Sequence, residues 1–185
     1  MDYEPRRELP LRFQLDTNRI NSRQALDNMN LLEQWADKEI IELFMSEAAQ
    51  DEARKGRDPV RSRKALGYIF SETLANTTEE LHQMSQIEKI LWPGGASTEG
   101  QRKDVEIVFN AGKYRATLVT NDGGSRSQPG GLLGNRKALA ALGIRVVTDE
   151  EAVAMVREAI RNRDEIARMV SSENGSPLPE WVGKD

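Results

Sequence analysis

Cysteine is missing altogether from the 185-residue chain. Its absence excludes disulfides, zinc–thiolate sites and thiol nucleophiles. A chain with no disulfide to form suits the reducing cytoplasm, which is the expected location. Histidine occurs once, as His82 in the helical stretch EELHQMSQ, so a histidine-based acid–base pair or triad has almost nothing to work with. No run approaches the roughly 20 consecutive apolar residues of a membrane span. The opening MDYEPRRELP also lacks the apolar core of a signal peptide, and no membrane partner is expected. A global basic footprint for nucleic acid is lacking too, since the formal net charge is −4. That balance does not exclude a nucleic-acid substrate, because a protein that holds divalent cations must concentrate carboxylates. Internal repeats and low-complexity segments are absent.

What is present reads as one domain over residues 1–170, followed by a Ser/Gly/Pro-rich tail at 171–185 that stays flexible unless Trp181 docks. A hydrophobic share of 38% supports a core and 30% charged residues a solvated surface. Short apolar runs alternate with helical patterns. LRFQL reads as a strand, and a helical stretch follows through Leu31, Leu32 and Trp35. IIELFM is an apolar run stopped by Ser46, an N-cap for EAAQDEARKG, with Gly56 as the residue just past that helix. RSRKALGYIFSETL and NTTEELHQMSQIEKIL read as two helices, an excursion over about 57–95. Then come the helix GQRKDVEIVFNAG, the strand ATLVT, a Gly-rich loop, the helix NRKALAALG, the strand IRVVT and a final helix begun by Thr148. Strands separated by helices predict a three-layer α/β/α domain around a mainly parallel sheet, with sites beyond the carboxyl ends of the strands.

Two strands end in the same short grammar, Leu15-Asp16-Thr17-Asn18 and Val119-Thr120-Asn121-Asp122. A carboxylate at the end of a buried strand is held rigidly at the sheet's mouth, which suits a cation that demands oxygen ligands in near-octahedral geometry. Asp is also common at turns and helix starts for local hydrogen-bonding reasons, and spacing alone does not separate the two roles. Thr17, Thr120 and Ser46 are placed to orient the carboxylates, while Asn18 and Asn121 are placed to touch substrate or metal-bound water. A basic run, Arg54, Lys55, Arg57, Arg61, Arg63 and Lys64, is either a solvated helix face or a phosphate contact.

In four blocks the chain resembles the PIN-domain nucleases, divalent-metal-dependent ribonucleases that include toxins of bacterial toxin–antitoxin pairs. LDTNRI resembles the family's opening strand, with Asp16 as first acid. IELFMSEAAQDEARKG resembles its second strand, serine and helix, and the family's second acid falls on Glu52, with Asp51 and Glu47 as fallbacks. KDVEIVFNAGKYRATLVTND resembles the most specific block, with Asp104 (Glu106 is the rival) and the final acid Asp122. GIRVVTDEEAVAMV resembles the closing strand and helix. The likeness covers about residues 10–156. It departs from the family where a further acid often follows, since Gly123-Gly124 stands there, and in the long loop DGGSRSQPGGLLG, a flap or an anion nest with Arg126 available for a phosphate.

The resemblance implies an endoribonuclease holding Mg²⁺ or Mn²⁺ on Asp16, Glu52, Asp104 and Asp122, with Asn18, Asn121 and Arg126 toward the RNA. It also implies an antitoxin-like protein as a partner, and a homodimer is a further expectation. A different class of reading is a PIN-like fold kept as an RNA- or protein-binding regulatory module without turnover. A phosphohydrolase using Asp-x-Asp on the first strand is disfavoured, because Asn18 occupies the second position.

Overall fold

Five short parallel strands fix where every other element sits. In the computed structural model, which describes residues 5–124 and 130–185, they are β1 (Arg12–Leu15), β2 (Glu42–Ser46), β3 (Ile69–Ser71), β4 (Thr117–Val119) and β5 (Val146–Val147). Their order is β3-β2-β1-β4-β5, and all four pairings are parallel. β1 is central: Phe13, Gln14 and Leu15 are fully buried, so its sequence is a continuous rather than an alternating pattern. Successive strands step outward from β1 through β2 to β3, then return to its other side for β4 and β5. The strand order therefore reverses between β1 and β4, the position at which open α/β sheets form their sites.

The helices are α1 (Asp27–Asp37), α2 (Glu47–Lys55), α3 (Pro59–Ala65), α4 (Thr78–Leu91), α5 (Glu99–Lys113), α6 (Gly131–Gly134), α7 (Arg136–Ala140) and α8 (Asp149–Asn174). Each long one has a readable start. The Ser46 hydroxyl accepts the Ala49 N–H at 3.2 Å. Thr77, Thr98 and Thr148 form capping boxes with Glu80, Gln101 and Glu151, satisfying amide donors that a helix start otherwise leaves orphaned. α1 packs on α8 while α2 and α4 pack on α5, and the three-layer α/β/α class expected from the sequence is the one observed.

The excursion differs from expectation. RSRKALGYIFSETL is not one helix: α3 stops at Ala65, the chain turns through Gly67, and Ile69–Ser71 joins the sheet as its edge strand. The buried Gln50 carboxamide holds this turn, donating to the carbonyls of Ala65 (3.0 Å) and Tyr68 (3.2 Å). Leu66, Ile69, Phe70 and Leu74 have helical spacing, but they are 57%, 69%, 61% and 61% exposed and form no packed stripe. A three-residue strand is too short to show a period of two. Gly56 follows α2 directly, as expected, with an extended backbone at φ −65° rather than a left-handed one. α8 runs past residue 170, and Trp181 does dock. Its ring lies 4.4 Å from the Arg163 guanidinium, Asp164 accepts the Gly183 N–H at 2.7 Å, and Asp185 accepts from Arg7 (2.5 Å) and meets Arg163 (3.2 Å). Among the described residues no helix is long and apolar enough to cross a membrane.

Asn110, fully buried in α5, ties that helix to the edge strand. Its Oδ1 accepts the Ser71 hydroxyl at 2.8 Å and its Nδ2 donates to the Glu72 carbonyl at 2.6 Å. Asn110→Ala leaves that carbonyl without its donor and is expected to lower stability by about 2 kcal/mol. The check is a reduced urea midpoint with an unchanged m-value.

Candidate functional site

At the reversal between β1 and β4, the ladder continues one residue past the end of β1, where the Asp16 N–H donates to the Val119 carbonyl at 3.0 Å. This brings the two look-alike strand ends side by side. Asp16 is only 7% exposed and both oxygens of its carboxylate accept hydrogen bonds. Oδ1 accepts the Thr17 N–H at 2.6 Å, and Oδ2 accepts the Thr120 hydroxyl and the Asn18 amide, each at 2.6 Å. Asn18 laces the two ends together, since its amide also reaches Thr120 Oγ1 (3.0 Å) and its Oδ1 accepts the Asn121 N–H (3.0 Å). The structure therefore gives Asn18 and Thr120 a positioning role around Asp16. The Asn121 side chain is exposed at the rim.

Asp122 begins beside this pair, its N–H donating to Thr120 Oγ1 at 3.0 Å. Its two oxygens accept the N–H groups of Gly124 (3.1 Å) and Leu132 (2.9 Å), and its carbonyl accepts that of Leu133 (3.1 Å). Asp122 thus has the helix-start role that the sequence left open beside the metal role. The returning loop comes so close that a Cβ on Gly131, at φ +54°, would lie 2.5 Å from Asp122 Oδ2. Only glycine fits that approach. Arg126 and the centre of the Gly-rich loop lie outside the described residues.

From the helices, Glu52 meets Asp16 through one residue: the Thr17 hydroxyl donates to Glu52 Oε2 while the Thr17 N–H holds Asp16. Ala48, Ala49 and Ala53 around Glu52 are buried, so small side chains let α2 approach the sheet. The fallbacks point elsewhere, with Asp51 facing Arg54 at 3.7 Å and Glu47 exposed. Asp104 lies near the start of α5, with Ile107, Val108 and Ala111 buried on its inward face. Its rival Glu106 pairs with Lys103 at 3.0 Å.

The four acids act on one another electrostatically. The Asp104 carboxyl is pushed up to about 7, first by burial and then by the charges of Asp16, Glu52 and Asp122. Asp16 is pushed up to about 6, mainly by burial, with the charges of Glu52 and Asp122 adding to it and the Thr120 and Thr17 hydrogen bonds opposing it. Uncompensated like charges near a buried carboxyl have this effect. All the donors are hard carboxylate oxygens at a sheet mouth, and that chemistry fits Mg²⁺ or Mn²⁺. The convergence is looser: among the described residues no three His, Asp or Glu side chains meet closely enough to enclose an ion. The field is shared while the oxygens remain apart, two of them held by the loop amides.

One residue escaped identification as part of the site. Arg61, in the first turn of α3, donates a guanidinium N–H to the Thr17 carbonyl. Within the basic run, Arg54, Lys55 and Lys64 face Asp51, Glu99 and Glu33, whereas Arg61 has no acidic partner among the described residues. The only local signal was Asp58-Pro59, a helix start whose Asp58 carboxylate accepts the Arg61 N–H at 3.2 Å. Its reach to Thr17, just past β1, spans 44 residues. The cavity of about 590 Å³ bordered by Leu9, Ile40, Leu43 and Tyr68 lies at the opposite, amino-terminal end of the strands and takes no part.

Because Asp16 and Asp104 have folded-state values above an ordinary carboxylate, their contribution to stability is full below about pH 4 and is lost as pH rises through about 6 to 7. Asp104→Asn removes the larger shift. In chelator at pH 8 the variant is expected to melt several degrees above the wild type, with a flatter dependence between pH 5 and 8. Differential scanning calorimetry across that range is the check.

No protein-family model matches the sequence, and no curated protein matches it. One solved structure similar in shape is VapBC2 from Rickettsia felis bound to a DNA fragment from their promoter. The identity is 15% and the TM-score 0.47, with 75% of this chain and 98% of that chain covered. Nothing of that complex's activity or assembly transfers at this level of likeness.

Proposed function

We propose that the chain is a PIN-like endoribonuclease that depends on Mg²⁺ or Mn²⁺, with Asp16, Glu52, Asp104 and Asp122 as its ion-holding and catalytic set. The observation that supports it is the mutual charge of four carboxylates at the strand-order reversal, which raises both Asp16 and Asp104, with no lysine or arginine among the described residues in a salt bridge with any of the four to neutralise them. A bound divalent ion supplies that neutralisation, a water of lowered pKa and a counter-charge for the phosphate in the transition state.

The remaining work belongs to the chain. Thr120 and Asn18 keep Asp16 Oδ2 in place, and the Thr17 N–H keeps Oδ1. Thr17 couples Glu52 to Asp16 through its hydroxyl. Asp104, partly protonated near neutral pH in the metal-free chain, releases that proton on loading. Arg61 and Asn121 are the described residues assigned to the phosphates of an RNA strand. No side-chain nucleophile is required, in keeping with a sequence that has no cysteine and one histidine. A cytoplasmic setting and an antitoxin-like protein partner belong to the same proposal.

Purified protein should cleave RNA with Mn²⁺ or Mg²⁺ and not in chelator, and Asp16→Asn should lower the rate at least 100-fold. Unchanged metal-dependent cleavage in Asp16→Asn would sink the mechanism. Arg61→Gln should weaken RNA binding roughly tenfold, about 1.4 kcal/mol for one charged phosphate contact, and reduce its salt dependence.

A second reading, a PIN-like binding or regulatory module without turnover, draws on Asp122, whose oxygens are both taken by backbone amides. Calorimetric titration with Mn²⁺ separates the two. The nuclease requires affinity that Asp16→Asn and Asp122→Asn abolish, and the module requires none.

A further inference from the structure

At one edge of the sheet, β5 lies against a groove of about 560 Å³ walled by α7 and lined by Lys137, Arg145 and Val146. The β4–β5 register leaves one residue of β5 turned outward. The Leu118 N–H donates to the Arg145 carbonyl at 2.9 Å and the Thr120 N–H to the Val147 carbonyl at 3.0 Å, with Leu118 beside Val146. Alternation along a parallel ladder then points the N–H and C=O of Val146 away from β4 and into the groove. Neither group has a hydrogen-bond partner among the described residues, although Val146 is only 4% exposed. Buried backbone groups are paired in folded proteins with few exceptions. The amides on either side are taken, that of Ile144 by the Leu139 carbonyl at 3.1 Å and that of Thr148 by Glu151 at 2.9 Å. The open stretch is one backbone donor and one acceptor.

The groove is also basic. Arg136 is paired with Glu151 at 2.9 Å, but Lys137 and Arg145 are exposed and have no acidic partner among the described residues. A second copy presenting the same edge would bring like charges together, which is how lysine at an edge strand discourages self-pairing. A phosphate accepts from the Val146 N–H and leaves its carbonyl unpaired. An extended peptide supplies both partners at the spacing of a strand, and specificity then comes from its side chains. Carboxylates on those side chains would complement Lys137 and Arg145. We infer that the β5 edge is a docking groove for an acidic, extended peptide segment of another protein, which adds a sixth strand to the sheet. The groove is built without any of the four acids and does not depend on the nuclease reading.

The probe is a fluorescein-labelled octapeptide of alternating glutamate and valine, titrated by fluorescence anisotropy with amide hydrogen exchange read in parallel. It should bind with a dissociation constant on the order of 100 µM or tighter. In the free protein the Val146 amide should exchange faster than the bonded Leu118 and Thr120 amides, and it should slow at least tenfold with the peptide bound. Lysine in place of the probe's glutamates, or methyl groups on its backbone nitrogens, should weaken binding at least tenfold. Lys137→Glu combined with Arg145→Glu should do the same with unchanged circular dichroism. No peptide binding at about 1 mM overturns the proposal, as does equal binding of the lysine or N-methyl probe. So does binding that leaves Val146 exchange unchanged, which would reduce the two cations to blunting the edge. Preference for a decauridylate over the peptide would make the groove a nucleic-acid contact and overturn it equally.

Discussion

The pairing of β1 with β4 is the constraint on which the site depends. Each strand is too short to carry a side chain far. But the parallel register, with Leu15 beside Val119, and the bond from the Asp16 N–H to the Val119 carbonyl bring two distant Asp-Thr-Asn clusters into a single network. The Thr120 hydroxyl is its hinge: it donates to Asp16 and accepts from both the Asn18 amide and the Asp122 N–H. A one-residue slip in this register would reverse the faces of Gln14 and Leu15. It would also part the carboxylate from its donors. Core packing and site geometry are therefore secured by one contact.

The same network carries an internal conflict. Asp16 is buried and accepts three hydrogen bonds, one on Oδ1 and two on Oδ2, and Asp104 is half-buried with no hydrogen bond among the described residues. Both are pushed upward by burial and by neighbouring acids. A fold selected only for stability would neutralise one of these carboxylates. Lysine and arginine are available nearby, yet Lys55 pairs with Glu99, Lys103 with Glu106 and Arg61 with a backbone carbonyl. Charge crowding of this kind, tolerated by an otherwise well-capped scaffold, is what supports the proposed cation site.

How much was legible follows from the range of the interactions involved. Helix starts were readable because a cap is local: Ser46 and Thr148 act within three residues of themselves. The acids at Asp16 and Asp122 were visible as strand ends, and Asp104 was preferred over Glu106 from the inward face of α5. Two features were not legible. Asp122 capping the Leu132 amide depends on a loop that returns over ten residues, and Gly131 signalled only that something passes close. Arg61 reaching Thr17 depends on how α3 is laid against the sheet, which no local pattern encodes.

β3 is the informative failure. Its residues satisfy helical spacing, and the preceding residues are helical, so the pattern argued for continuation. Gly67 and the β-branched and aromatic pair Ile69-Phe70 argued against it. The outcome was decided from a distance: Gln50 on α2 captures the carbonyls of Ala65 and Tyr68, and Asn110 on α5 captures Ser71 and Glu72. These two buried carboxamides from different helices hold a three-residue strand that is too short to persist by its own propensity. They also explain its exposed side chains, because the strand is anchored through its backbone rather than by burying Ile69 and Phe70.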